Sequence, residues 1–221
     1  MNSVAFQWLD PCPSERLKIA QERLLASVSS FGLKGDLYPA GPKLVKFSEI
    51  LRFARRNAGG RSFVWCNSDV TLTADPYELD DGETVRGFHR REMPSGEYCG
   101  GVDMYLIPSR VWDEVFVLDL PDLWCGATHI DWWLTRAAVL KSRYTAHFGF
   151  IDHVSHETSS FSKGRSNSLY RHNVVEYNKW ARRNSASLFE RRIALPLIGE
   201  SLMPNTDYWS IPLRKSKLVK S

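Results

Sequence analysis

Residues 62–69, SFVWCNSD, are the stretch of this chain that decides its fold class. Ser62–Cys66 is a short run of apolar, β-branched and aromatic side chains, which predicts a buried strand. The run follows a glycine pair at 59–60, a typical helix end, and leads directly into the polar residues 67–69. Sheets covered by helices bind ligands beyond the carboxyl ends of their strands. We therefore expect a ligand site to begin at Asn67.

Strands and helices alternate through the residues that precede this stretch. Apolar runs at Val4–Trp8 and Leu33–Tyr38 predict strands, and each is followed by apolar residues at helical spacing. Ser14 is a good N-cap for the first helix. Further along the chain, the pattern predicts strands at 84–88, 102–107 and 144–151 and helices at 130–140 and 167–183. We predict an α/β fold in which a mixed, mainly parallel sheet has helices on both faces.

The composition is that of one ordinary globular domain, with 43% hydrophobic and 24% charged residues in a chain of 221. No apolar run approaches the roughly 18 residues of a membrane span, and residues 1–11 lack the layout of a secretion signal. We therefore expect a cytoplasmic protein without a membrane span. The four cysteines are widely spaced and form no CxxC pair, which favours reduced thiols over a zinc ribbon.

The net charge of +4 comes from the end of the chain, where four basic residues and no acidic residue follow Pro212. Such a tail is either a solvated terminus or a contact to nucleic acid or another anionic surface. We expect residues 1–160 to form a ligand-binding and catalytic core. Residues 161–221 are expected to form a helical, basic extension packed on the same domain.

Two groups of residues have the chemistry of metal ligands. Asp69 follows a buried strand, and His153 and His156 follow another predicted strand, so these side chains can meet at one crevice. A divalent ion held by few protein ligands and completed by substrate phosphates suits nucleotide substrates. Mixed histidine and carboxylate ligation favours Mn²⁺ over Mg²⁺. The alternatives are an ordinary turn at Asp69 and structural or surface histidines.

Asp131 opens a predicted helix and is followed by Trp132 and Trp133. A carboxylate beside aromatic rings loses solvent, which raises its pKa and suits it to act as a general base. We also expect one tryptophan, Trp132, to stack on a sugar or base and the other to be core. The alternative is that Asp131 is an ordinary N-cap.

Three further residues are candidates for binding donor or acceptor. Arg90 and Arg91 are adjacent cations after a strand-like run and can clamp a phosphate. Asp103 follows a glycine pair, which permits close approach, and can orient substrate hydroxyls. The alternatives are a surface ion pair for the arginines and a solvated strand edge for Asp103.

The ordered set of these motifs resembles the nucleotide-sugar glycosyltransferases of the GT-A fold, over about residues 4–157. By that likeness, Asp69 matches the last position of the Asp-x-Asp metal motif, and His153 or His156 matches the late metal-binding histidine. Asp131 matches the catalytic acidic residue. Asn67 stands where many relatives have the first aspartate of the motif. This departure puts one carboxylate ligand in doubt and suggests that Asn67 binds the donor ribose or a water molecule.

The resemblance implies a metal-dependent glycosyltransferase that moves a hexose or pentose from a nucleotide diphosphate sugar, such as a UDP-sugar, to an acceptor hydroxyl. Mn²⁺ or Mg²⁺ is the expected cofactor, and a base at Asp131 predicts inversion at the sugar. The acceptor is a glycan, a protein or a hydroxymethylated DNA base. If the last applies and the chain is phage-encoded, it acts in the host cytoplasm.

A different class of function is also open, a nucleic-acid-binding module that keeps this fold without catalysis. Residues 161–183 carry six lysines and arginines against one glutamate, with Tyr170, Tyr177 and Trp180 between them. Basic charge with stacking aromatic rings is typical of nucleic-acid binding. The alternative is a helix with a solvated basic face and buried aromatic residues.

Overall fold

The computed structural model describes residues 2–10, 12, 14–39, 45–125, 130–154 and 168–184. Within these ranges the strands form one sheet of seven in the order β2-β1-β3-β6-β5-β7-β4. They are β1 Ser3–Trp8, β2 Lys34–Pro39, β3 Phe63–Cys66, β4 Val70–Leu72, β5 Thr84–Met93, β6 Glu97–Ile107 and β7 Arg143–Val154. The α-helices are α1 Glu15–Ser30, α2 Phe47–Ala58, α3 Ser109–Val111, α4 Ile130–Lys141 and α5 Ser168–Arg183.

The sheet is mixed, and the predicted α/β fold is confirmed. Strand β1 is parallel to both β2 and β3, and β5 is parallel to β7. Strand β6 is antiparallel to both β3 and β5, and β4 is antiparallel to β7. The amino-terminal half of the fold therefore contains the parallel strand–helix units, and the antiparallel pairs join it to the strands that follow.

Side chains of β1 alternate between two hydrophobic cores, one on each face of the sheet. Val4 and Phe6 pack with Leu24 and Val28 of α1, whereas Ala5 lies in the core formed with α2, α4 and α5. This alternation is the period of two that a strand buried on both faces requires. The predicted helix cover on both faces is confirmed. None of the helices in the described residues is long and apolar enough to cross a membrane.

Local sequence signals account for the ends of the first two helices. The Ser14 side chain accepts a hydrogen bond from the main-chain N–H of Leu17, as expected of an N-cap. Helix α2 ends at Gly59, whose φ of 57° lies in the left-handed region that glycine adopts without strain. These caps place β2 and β3 beside β1 through short connections.

Helix α5 is attached to the rest of the fold by a buried asparagine. Asn173 accepts a hydrogen bond from the main-chain N–H of Trp124 at 2.8 Å and donates one to the carbonyl oxygen of Trp124 at 3.0 Å. Tyr177 and Trp180, from the same helix, are fully buried in the core shared with α4. The main chain at Trp124 is therefore held by α5.

Replacing Asn173 with Ala is expected to lower the free energy of unfolding by about 2–3 kcal/mol, because two main-chain groups of Trp124 lose their partners. Urea unfolding followed by circular dichroism measures this change. Val175→Ala is the matched control, since Val175 lies on the same helix and is 50% exposed. Its effect should stay within about 0.5 kcal/mol. Equal effects of the two substitutions would contradict the role of Asn173.

The directions of three strands bring distant residues to one edge of the sheet. Strands β3 and β5 run the same way because both are antiparallel to β6, and β7 is parallel to β5. Asn67 and Asp69 follow β3, while Glu92 and His153 lie near the carboxyl ends of β5 and β7. Strand β6 leads away from this edge and carries Asp103. The sheet therefore gathers these five polar residues at the predicted position.

Candidate active site

His153 is the centre of the polar cluster at this edge. It is 3% exposed, and two carboxylates, those of Asp69 after β3 and of Glu92 on β5, approach its two ring nitrogens. Glu92 Oε2 lies 2.8 Å from Nδ1, and Asp69 Oδ2 lies 3.4 Å from Nε2. Burial and the charge of Arg90 lower the pKa of His153, but the hydrogen bonds to Asp69 and Glu92 and the negative charge of Asp69 outweigh them, so the pKa is raised. The cluster therefore attracts a positive charge to the imidazole.

Arg90 links the pair of Glu92 and His153 to the buried carboxylate of Asp103. Its Nε lies 2.7 Å from Glu92 Oε1, and one terminal nitrogen lies 2.9 Å from Asp103 Oδ2. The other oxygen of Asp103 accepts a hydrogen bond of 2.7 Å from Asn67 Nδ2. Burial raises the pKa of Asp103 although Arg90 opposes the shift, and the nearby charge of Asp69 raises it further. Arg90 and Asn67 thus hold Asp103 in place.

Asp69 and His153 have the arrangement of two ligands on one cation. Neighbouring ligands that each lie about 2.1 Å from a small divalent ion are about 3 Å apart, close to the separation of Asp69 Oδ2 from His153 Nε2. A histidine that binds a metal usually donates its other ring N–H to a carboxylate, and Glu92 occupies that position at Nδ1. These residues therefore fit a divalent cation.

The described residues supply only part of a coordination shell. Among them, no group of three or more His, Cys, Asp or Glu side chains is arranged to hold an ion. An ion at Asp69 and His153 would thus take its other ligands from substrate phosphates and water, as Mg²⁺ and similar ions commonly do. His156, the alternative predicted ligand, lies outside the described residues, and the structure places His153 beside Asp69.

Asp131 lies in the first turn of α4 and is only partly exposed. Burial and the negative charge of Asp103 raise the pKa of Asp131 to about 7, although Arg90 and main-chain N–H groups oppose the shift. Its carbonyl oxygen accepts a hydrogen bond of 2.9 Å from the Tyr105 hydroxyl, which also contacts the Thr135 hydroxyl at 2.7 Å. Asp131 is therefore a carboxyl group with the pKa of a general base at neutral pH.

Two predicted binding residues have other partners in the structure. Arg91 forms two hydrogen bonds to Asp152, of 2.8 and 3.0 Å, and these bonds raise the pKa of Arg91. The Trp132 ring is partly exposed and faces the guanidinium of Arg136, 5.1 Å from the ring centre. Trp133 is the tryptophan that belongs to the core, with 1% exposure. Roles of Arg91 and Trp132 in substrate binding stay predictions.

Glu92 belongs to the polar cluster but was not among the site residues predicted from the sequence. The predicted strand ended at Phe88, whereas β5 continues to Met93. On an extended strand Arg90 and Glu92 project from the same face, and this spacing was the one signal that pointed to their pairing. Residues 89–92 are polar and lack the apolar pattern from which strands are predicted.

Two aromatic residues of α5, Tyr177 and Trp180, are too buried to stack on nucleic acid. Tyr177 and Trp180 are fully buried, and Tyr170 is partly exposed. Arg171, Lys179, Arg182 and Arg183 are exposed on this helix. The pattern that suggested nucleic-acid binding is thus, for these two rings, a core pattern beneath a basic surface. Lys163, Arg165 and the basic tail after residue 212 lie outside the described residues.

Of three comparisons with known proteins, the one with solved structures is the one that found matches. No protein-family model and no curated protein matches the chain. A glycosyltransferase involved in the glycosylation of the major capsid of PBCV-1 has a TM-score of 0.43 at 12% identity, over 73% of this chain and 98% of that one. A197 from STIV has a TM-score of 0.45 at 10% identity, over 71% and 87%. Glycosyltransferase GlyE of Streptococcus pneumoniae has a TM-score of 0.39 at 11% identity, over 89% and 66%. Likeness at this level does not assign an activity.

Proposed function

We propose that the protein is a metal-dependent glycosyltransferase that moves a sugar from a nucleotide diphosphate sugar to an acceptor hydroxyl. The observation that carries the proposal is the pair of Asp69 and His153, whose Oδ2 and Nε2 atoms are 3.4 Å apart, together with the partly exposed carboxyl group of Asp131, whose pKa is raised. A pair of cation ligands suits a diphosphate, and a carboxylate with a pKa near 7 suits proton removal from a hydroxyl.

The residues divide the reaction between them. Asp69 and His153 would hold Mn²⁺ or Mg²⁺, which supplies positive charge to the departing diphosphate. A carboxylate oxygen of Asp131 takes the proton of the acceptor hydroxyl as that oxygen bonds to the anomeric carbon. The bond from this carbon to the diphosphate oxygen breaks, and the diphosphate leaves with the electron pair. A single displacement of this kind inverts the anomeric configuration.

Two buried polar groups on β1 and β2 support the proposal that the donor is a nucleotide. Gln7 Nε2 and Asp36 Oδ2 are buried, and neither has a hydrogen-bond partner among the residues that the structure describes. In the parallel pair of β1 and β2, Gln7 lies beside Tyr38 and Asp36 lies beside Ala5. Gln7 and Asp36 are therefore on the same face of adjacent strands. Buried polar atoms without partners call for an explanation such as a ligand. A donor beside an acceptor is complementary to the edge of a uracil, which is consistent with UDP.

Binding of nucleotide diphosphates tests this function most directly. Isothermal titration calorimetry with UDP, GDP and TDP, each with and without Mn²⁺, should show at least one nucleotide that binds about 10-fold or more tightly with the ion. Binding that is absent or independent of the ion for every nucleotide would refute the proposal. With a donor found, NMR of the product sugar tests inversion, since retained configuration would exclude Asp131 as the base in a single displacement.

The acceptor is proposed as a glycan, a protein or a hydroxymethylated DNA base. The exposed basic residues of α5 favour an anionic acceptor such as DNA. A gel shift with duplex DNA at increasing salt separates these cases. Absence of binding at low salt would remove the DNA acceptor and leave the other two.

A further inference from the structure

Glu92 contacts Arg90 and His153 with its two carboxylate oxygens. Its Oε1 lies 2.7 Å from Arg90 Nε, and its Oε2 lies 2.8 Å from His153 Nδ1. An ionised carboxylate only accepts hydrogen bonds, so Nδ1 of His153 must carry the hydrogen that lies between them. In the neutral imidazole, Nε2 then has a lone pair and no hydrogen. That lone pair is on the side of the ring that faces Asp69.

We propose that Glu92 is a positioning residue that holds His153 in the Nδ1–H tautomer and thereby directs the Nε2 lone pair to the cation beside Asp69. This inference rests on the metal site of the proposed function. Without an acceptor at Nδ1, the hydrogen can move to Nε2, where Asp69 Oδ2 at 3.4 Å can accept it. The imidazole and Asp69 would then bind each other, and the two ligands would no longer be available to an ion.

Arg90 makes an isosteric substitution unusually informative. A guanidinium only donates hydrogen bonds, so in Glu92→Gln the amide oxygen should face Arg90 Nε. The amide NH₂ group would then face His153 Nδ1 and donate to it. Donation at Nδ1 requires the hydrogen to be on Nε2. The substitution is therefore expected to invert the tautomer of His153 with almost no change in side-chain shape.

Nitrogen NMR of ¹⁵N-labelled, metal-free protein tests the tautomer directly, at a pH where the imidazole is neutral. The chain has six histidines, so the His153 signals are identified by their loss in His153→Gln. Long-range ¹H–¹⁵N spectra should show Nδ1–H in the natural protein and Nε2–H in Glu92→Gln. An Nε2–H tautomer in the natural protein, or an unchanged tautomer in Glu92→Gln, would overturn the inference.

Mn²⁺ affinity, measured from the EPR signal of the unbound ion, provides the second readout. Glu92→Gln should weaken binding by about 10- to 100-fold, the usual effect of losing a carboxylate behind a metal-bound histidine. Glu92→Ala removes the acceptor without imposing the wrong tautomer, so its affinity should lie between those of the natural protein and Glu92→Gln. If Glu92 were needed only for packing, the isosteric change to Gln would be the milder one. Glu92→Ala would then have the weaker Mn²⁺ affinity of the two variants.

Glu97→Gln is the matched control. Glu97 is exposed and lies directly across from Glu92 in the β5–β6 pair, so the substitution removes the same charge from the same hairpin. It should change neither the tautomer nor the affinity, and thermal melts should show all variants folded. If the natural protein binds no Mn²⁺, the metal site of the proposed function fails, and the NMR result still decides whether Glu92 sets the tautomer.

Discussion

Replacing Asp131 with Asn is expected to lower the turnover of sugar transfer by about 10²- to 10⁴-fold while donor affinity is retained. The amide keeps the size of the side chain and still accepts hydrogen bonds from the main-chain N–H groups of the first turn, but it cannot take a proton. Steady-state kinetics together with calorimetric binding of the nucleotide donor separate these two effects. Near-normal turnover in the variant would refute the base assignment, and weakened donor binding would instead place Asp131 in the sugar-binding part of the site.

The pH dependence distinguishes Asp131 from a residue that only shapes the site. Because the pKa of Asp131 is raised to about 7, transfer by the natural protein should increase as the pH rises through about 7. This limb of the profile should be missing from the residual activity of Asp131→Asn.

The free energy of unfolding should decrease over the pH range in which the rate of sugar transfer increases. A carboxyl group with a raised pKa in the folded state favours folding at low pH, and this contribution is lost as the pH rises through the folded-state value. Unfolding experiments in denaturant between pH 4 and 8 should therefore show a loss of stability that Asp131→Asn does not share. The same loss in both proteins would mean that Asp131 is not the group responsible.

Replacing Asp69 or His153 with Ala is expected to remove the stimulation of donor binding by Mn²⁺. Loss of a residue that only holds a metal ligand in place costs about 10- to 100-fold in metal affinity, so loss of a ligand itself should cost about 100-fold or more. Calorimetry with Mn²⁺ and the nucleotide diphosphate measures the metal affinity and the donor affinity. Each single variant should retain the weaker, metal-independent binding of the nucleotide.

The double variant tests whether Asp69 and His153 share one ion. Because either substitution already breaks the site, the two effects should be far from additive, and the double variant should be little worse than each single variant. Asp113→Asn is a suitable control, since Asp113 forms an exposed ion pair with Arg55 elsewhere on the surface. Independent, additive effects of Asp69→Ala and His153→Ala would exclude a common ion.

Local signals explain why the first third of the fold could be predicted well. The caps at Ser14 and Gly59 and the short apolar runs of β1 and β3 depend on residues close in sequence. The hairpin of β5 and β6 could not be predicted to its full length. Its outer part carries polar side chains that become strand-like only because they pair with neighbouring strands, as Glu92 does with His153.

The sequence by itself determined which residues have the chemistry for the site, including Asp69 and His153 as candidate ligands and Asp131 as the candidate base. It also determined the strands and helices whose signals are local. Only the tertiary structure decided the pairings, because Glu92 and His153 are 61 positions apart and meet through the parallel register of β5 and β7. The raised pKa of Asp131 was predicted from its neighbouring tryptophans, but the charge of Asp103, which adds to the shift, comes from another strand and was supplied by the tertiary structure alone. Charges act through space, so the sequence near Asp131 does not specify this contribution.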